Sequence, residues 1–144
     1  MKNILVLCTG NICRSPTGEY LLRNALGEGY TVMSAGLNAV VDSGPDAMAV
    51  KVALDHGLDI SLHKARQVNM DMLKWADLVL VMEASQKVEL LRKYPWLDGK
   101  VFRYGAVADV DIPDPYRRPE SAFIMAWKFI SKFTPYWVSK IQQS

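Results

Sequence analysis

Residues 5–15 read LVLCTGNICRS. The run from Ile4 to Cys8 has strand length and no polar interruption, the pattern of a strand buried on both faces of a parallel sheet. Ser15-Pro16 predicts a helix start, with the serine as cap and the proline at the first helical position. Ligands in such sheets gather at the C-terminal ends of strands, and Cys8 stands at one. Between strand and helix, Gly10 and Asn11 are residue types that tolerate positive φ. A loop with such positions can curl until its N–H groups point inward, an anion nest reinforced by the positive end of the following helix. Arg14 adds a planar fork able to hold two oxygens of a tetrahedral oxyanion. The same positive field favours a thiolate at Cys8, and Ser15 can donate a hydrogen bond to the sulfur. A free cysteine is more often a small core hydrophobe. A cysteine followed by five residues, an arginine and a serine at a strand–helix junction is far more specific. The loop lacks both Gly-Lys-Ser/Thr and G-x-G-x-x-G, which argues against a nucleotide site.

Further strand candidates are YTVMSAG (30–36), DLVLVM (77–82) and KVFRYG (100–105). Helices are predicted after Gly44-Pro45-Asp46 up to Gly57, from a cap at Asn69 to Trp75, and from a cap at Ser85 to Pro95. SLHKARQV (61–68) reads as connection, and residues 106–119 as a long polar loop. Phe123, Trp127, Ile130, Phe133, Trp137 and Ile141 keep helical spacing across Pro135, which predicts one kinked helix. Strands alternating with helices predict an α/β domain over 1–144. Its architecture is a four-stranded parallel sheet flanked by helices on both faces, with the anion-binding loop at the end of the first strand.

The chain has 144 residues, 50% hydrophobic and 22% charged, as expected of one globular domain. A net charge of +2 is too small to argue for nucleic acid or an anionic membrane. No apolar run approaches a membrane span, and the one at the N-terminus is too short for a signal peptide. Two cysteines, five apart, form no disulfide framework, which favours a cytoplasmic location. His56 and His63 make no ligand cluster with them, so neither metal nor cofactor is expected.

Residues 4–16, ILVLCTGNICRSP, resemble the signature of the low-molecular-weight protein tyrosine phosphatases. The resemblance continues through SAGL (34–37), HKARQV (63–68), LVLVME (78–83) and DIPDPYR (111–117). It implies a nucleophile at Cys8, a phosphoryl-binding arginine at Arg14 and a general acid at Asp114. The phosphate-binding loop would be Thr9, Gly10, Asn11, Ile12, Cys13, Arg14 and Ser15. Asn11 would shape it, and Ser15, Ser34 and His63 would support it. Asp-Pro on its own usually marks a turn. Here Pro113 and Pro115 stiffen the chain around Asp114, which suits a carboxyl that must reach over a pocket. Val40 and Tyr116 would line the substrate wall. Val40 falls near where some members carry a large aromatic, and Arg117 where some carry a second tyrosine. SAGLNAVVDSGPD and IPDPYRR are most similar to a bacterial subgroup associated with exopolysaccharide export. That likeness implies a tyrosine-phosphorylated autokinase as partner and inorganic phosphate as product, with no membrane insertion.

The implied reaction is metal-independent hydrolysis of phosphotyrosine through a cysteinyl-phosphate. Arsenate reduction on the same fold would need cysteines beyond Cys13. A binding module with a dead site would not need Cys8, Arg14, Ser15 and Asp114 together. Cys13 is a candidate to capture an oxidised Cys8, and Arg117 with Arg118 a candidate basic rim for acidic peptides.

Overall fold

The computed structural model describes residues 1–144. Its elements run β1 (Asn3–Cys8), α1 (Arg14–Leu26), β2 (Thr31–Gly36), α2 (Ala47–Asp55), α3 (Met70–Trp75), β3 (Leu78–Val81), α4 (Ala84–Lys93), β4 (Val101–Arg103) and α5 (Glu120–Gln143). Short 3-10 turns cover Pro95–Leu97 and Ala106–Ala108. The four strands form one parallel sheet in the order β2-β1-β3-β4. β1 and β3 are therefore central, which is why their sequences are continuously apolar.

Alternation along β1 divides the core. Ile4, Val6 and Cys8 join Leu22 and Leu26 of α1 and Ile130, Phe133, Trp137 and Ile141 of α5. Leu5 and Leu7 point the other way, into a cluster with Leu73 of α3, Val79 and Val81 of β3, and Leu90 of α4. Ile4 through Leu7 have no exposed surface. At about 1.5–3 kcal/mol for each large aliphatic side chain removed from water, β1 is a strong anchor of the fold. α5 runs unbroken through Pro135. Thr134 just before it donates to the Ile130 carbonyl at 2.7 Å and shares a 2.6 Å hydrogen bond with the buried Tyr104 hydroxyl.

Several boundaries depart from the sequence reading. Ser15 does not cap α1, which begins at Arg14 with Cys13 as its flanking residue. The serine hydroxyl is taken up by Cys8 and Asn11 instead. Ser85 does not cap α4. Glu83 does so, in a reciprocal capping box with Gln86. The fourth strand is three residues long, because Tyr104 and Gly105 turn away from the sheet. Asn69 caps α3 as expected, and Asp46 caps α2.

Gly36, at the end of β2, faces the loop after β1. A Cβ there would lie 2.6 Å from the Thr9 carbonyl oxygen and 3.0 Å from Ala39. Both neighbours are backbone or short side chain and cannot swing aside. Gly36→Ala should therefore lower stability by about 1–3 kcal/mol and distort the loop. Thermal melting and phosphate titration check the two effects, and an unchanged phosphate affinity would show that the loop tolerates the shift.

Candidate active site

The loop from Cys8 to Arg14 is held by its carbonyls. Cys8 O accepts from Leu37 N, Thr9 O from Asn38 N, Gly10 O from Val40 N and Ile12 O from Asp46 N, at 2.8–3.1 Å. Asn11 O accepts from His63 Nε2 at 2.9 Å, and Cys13 O from the Thr17 hydroxyl. The N–H groups of Thr9 through Cys13 have no acceptor anywhere in the protein. With every carbonyl drawn outward, the peptide planes present these donors to the inside of the curl, which is the geometry of an anion nest. Only Asn11 adopts positive φ, at 59°. Gly10 does not, contrary to the sequence reading. A Cβ there would meet Ile12 and Val40 only at ordinary contact distance.

Asn11 is buried and uses its whole amide. Its Oδ1 accepts from Arg66 N at 3.0 Å, and its Nδ2 donates to Ser15 Oγ at 2.7 Å and Ser34 Oγ at 3.0 Å. Ser15 Oγ lies 2.9 Å from Cys8 Sγ. Because that oxygen already accepts from Asn11, its own hydrogen is free for the sulfur. Ser34 donates onward to Glu19 Oε1 at 2.5 Å, and Arg23 holds the other carboxylate oxygen. Burial lowers the pKa of His63, opposed by its bond to Asn11 and by Glu19. Burial, with Asp46 and Cys8 nearby, pushes the Cys13 thiol well up. Both cysteines are free.

Arg14 is 2% exposed. Its Nη1 donates to Glu83 Oε1 at 2.5 Å and to the Ile112 carbonyl at 2.7 Å. Nη2 lies 3.7 Å from Asp114 Oδ2, and the buried Nε has no partner in the protein. A buried N–H left unpaired is unfavourable by about 1–3 kcal/mol. Together with the unpaired loop donors, it marks a cradle built for oxygens that come from outside. The cleft above it, about 210 Å³, is lined by Cys8, Thr9, Gly10, Ile12, Cys13, Arg14, Asn38, Val40, Asp114 and Tyr116. Asp114 and Tyr116 stand at its mouth, about half exposed. Asp114 Oδ1 accepts from Tyr116 N at 3.1 Å. Arg117 follows at φ 61°, where a non-glycine residue costs about 1–2 kcal/mol.

The structure thus gathers Cys8, Arg14, Asp114, Val40 and Tyr116 around one cleft, with Asn11, Ser15, Ser34 and His63 behind the loop. Sequence reasoning gave no role to Glu83, Glu19 or Gln86. Glu83 orients Arg14, and Gln86 Nε2 donates to the Thr9 hydroxyl at 3.2 Å. Chemically, the cleft offers a nucleophilic sulfur beneath a ring of donors and a carboxyl at the entrance. Asp111 is held by Ala84 N at 2.9 Å and Arg103 at 3.1 Å, so the loop leading to Asp114 is itself anchored.

Two outcomes follow from these contacts. Glu83→Gln keeps the shape but removes the charge that aims the guanidinium. Phosphate affinity measured by calorimetry should fall roughly 10–100-fold, the worth of a charge-assisted hydrogen bond of about 1.5–3 kcal/mol. His63 titrates near 6.5 in an unfolded chain, and burial lowers that value in the fold, so the folded state binds fewer protons. Its contribution is complete above about pH 6.5 and is lost as pH falls towards the folded value. The melting temperature should drop more between pH 7 and 5 in the wild type than in His63→Gln. Parallel curves would remove His63 from the acid limb.

Comparison with known proteins agrees with this geometry. The model of the family described as low molecular weight phosphotyrosine protein phosphatase matches residues 3–144. A probable low molecular weight protein-tyrosine-phosphatase, EpsP of Ralstonia nicotianae, is 44% identical over 142 residues, covering 99% of this chain and 97% of its own. The crystal structure of the tyrosine phosphatase Wzb from Escherichia coli in complex with sulphate superposes with a TM-score of 0.92 at 38% identity, over 97% of this chain and 98% of that one. The YwlE arginine phosphatase from Geobacillus stearothermophilus has a TM-score of 0.91 at 29% identity, over 99% and 94%. With a cysteine at the base of an anion cradle and matches along nearly its whole length, the chain belongs to the low molecular weight phosphotyrosine protein phosphatase family.

Proposed function

We propose that the protein is a tyrosine phosphatase that hydrolyses phosphotyrosine through a cysteinyl-phosphate. The observation that carries this reading is the set of unpartnered donors around Cys8, namely the N–H groups of Thr9 to Cys13 and Arg14 Nε. They match the three equatorial oxygens of a phosphoryl group in transfer, where fixed dipoles count most. Cys8 attacks phosphorus in line. The Ser15 hydroxyl stabilises the thiolate before attack and again when it departs. Asp114, protonated, hands its proton to the leaving phenolate, whose conjugate acid has a pKa of about 10. It then takes a proton from the water that attacks the cysteinyl-phosphate, which releases inorganic phosphate and restores Cys8. Ile12, Val40 and Tyr116 supply an apolar wall for the ring.

The protein substrate we take to be a bacterial tyrosine autokinase of exopolysaccharide export, reached from the cytoplasm. Support for this comes from the likeness of residues 34–46 and 112–118 to that subgroup. No helix is long and apolar enough to cross a membrane.

Asp114→Asn tests the chemistry. Proton donation is worth roughly 10²–10⁴-fold, so kcat/KM for a phosphotyrosine peptide should fall by much of that range. A nitrophenyl phosphate, whose leaving group needs less help, should lose less. A plot of log kcat/KM against leaving-group pKa should be steeper in the variant, and equal slopes would refute Asp114 as the acid. Cys8→Ser should abolish turnover and retain phosphorylated protein from a lysate. Faster hydrolysis of phosphoarginine than of phosphotyrosine would overturn the substrate assignment.

A further inference from the structure

The rim of the cleft carries one cation with unusual placement. Pro115 O accepts from Arg118 N at 2.9 Å, which closes a four-residue turn. Arg117 is its third residue and holds φ 61°. That position of a turn favours glycine or asparagine, and arginine reaches it only against a steric penalty. Non-glycine residues kept in such a conformation concentrate at ligand clamps and binding loops. Here the conformation has a visible result. The Arg117 guanidinium carbon lies 5.2 Å from the centre of the Tyr116 ring, in cation–π contact. Tyr116 in turn lines the cleft beside Asp114.

Arg117 is also free of internal neutralisation. Arg14 pairs with Glu83, Arg23 with Glu19, Lys51 with Glu120 and Asp55, and Arg103 with Asp109 and Asp111. No carboxylate of the chain lies within ion-pair distance of Arg117 or Arg118. Of the three acids earlier in the same loop, Asp109 and Asp111 are engaged by Arg103, and Asp114 lies 3.7 Å from Arg14 Nη2. Of the two arginines, only Arg117 is fixed against a wall of the cleft, because Arg118 has neither an aromatic nor an acidic partner. A guanidinium in contact with a ring face spends no N–H on an acceptor there, so its donors stay available for an anion.

We infer that Arg117, in cation–π contact with the Tyr116 wall, is a specificity-determining residue that pairs with an anionic side chain next to the phosphotyrosine of the substrate. The anion is a glutamate or aspartate carboxylate or a second phosphate, each of which can present two oxygens to the arginine fork. The inference rests on the phosphotyrosine reading and adds its sequence context. Arg118, one residue on and equally charged, serves as the internal control.

The experiment measures kcat/KM at low and high salt for four substrates. These are a phosphotyrosine peptide with neutral flanks, the same peptide with a glutamate just before the phosphotyrosine, the same peptide with a glutamate just after it, and one with an adjacent second phosphotyrosine. The proteins are wild type, Arg117→Gln, Arg117→Gly and Arg118→Gln, each checked for fold by circular dichroism. Glycine suits the backbone at 117, so that variant keeps the turn while removing the charge. In the wild type at low salt, at least one anionic peptide should exceed the neutral one by about two- to five-fold, the worth of an exposed ion pair. High salt should erase the preference. Both Arg117 variants should bring the ratio to about one, and Arg118→Gln should leave it. Preference for the carboxylate peptides, the doubly phosphorylated one or both identifies the source of the anion. A wild-type ratio of one, a ratio that survives in the Arg117 variants, or an equal loss in Arg118→Gln overturns the inference. Failure of the wild type on every phosphotyrosine peptide overturns the phosphatase reading instead.

Discussion

The site depends on one asymmetry in the loop after β1: its carbonyls are bound and its N–H groups are not. The outward bonds go to four supports: three to the residues after β2, and one each to the start of α2, the first turn of α1 and His63. Together they set the rotation of each peptide plane, so the donors need not move when an anion arrives. Preorganisation of this kind is what lets fixed dipoles stabilise a transition state without reorganising. It also carries a standing cost. Unpaired donors and a buried, unpartnered Arg14 Nε weaken the empty fold, and an anion bound there removes the penalty. The strongly buried β1 compensates, since it anchors the loop at its first residue.

The second half of the chemistry is tied to the same support. Ile112, two residues before Asp114, donates its N–H to Met82 O at 2.9 Å and receives Arg14 on its carbonyl. Met82 and Glu83 follow directly on β3, and Glu83 receives the same guanidinium nitrogen. One strand end therefore positions both the buried Arg14 guanidinium and the loop that carries Asp114. Arg103 and Ala84 N add a clasp on Asp111. These outer pairs are exposed and individually weak, yet a loop stiffened by Pro113 and Pro115 has little freedom left to remove.

What was legible in the sequence follows from range. Continuous apolar runs are local signals, and they located all four strands with ends within a few residues. The Cys8–Ser15 spacing is local too, so the cradle was readable before any fold. Misreadings came where a tertiary partner outbid a local preference. Ser15 looks like a helix cap, but a thiol and an amide claim its hydroxyl. Ser85 looks like another, but Glu83 with Gln86 closes the box first. Gly10 looks like a positive-φ position, but the curl turns at Asn11 alone, where the amide side chain secures the strain. Glu83 and Glu19 were invisible as functional groups because their partners are 69 and 15 residues away. A carboxylate in a strand–helix sequence gives no sign that it faces a buried cation or hydroxyl.

Glu19 shows how far the order extends from the reacting atom. The bond from Arg66 N to Asn11 Oδ1 decides which way the amide points, so both hydrogens of Nδ2 go to serine oxygens. Ser34 must then give its own hydrogen elsewhere, and Glu19 is the acceptor in reach. Ser15, receiving from the same amide, must likewise give its hydrogen to Cys8. Were Ser34 without that acceptor, its hydrogen would compete for the space occupied by Asn11 Nδ2, and the amide would lose the orientation that frees Ser15. The direction of the last hydrogen bond to the nucleophile is thus settled by a carboxylate on the second turn of α1 that touches neither the loop backbone nor the substrate cleft. Arg23 and His63 flank that carboxylate. A small fold can in this way assign proton positions at its reactive centre without a charged group in the cleft beyond Arg14 and Asp114.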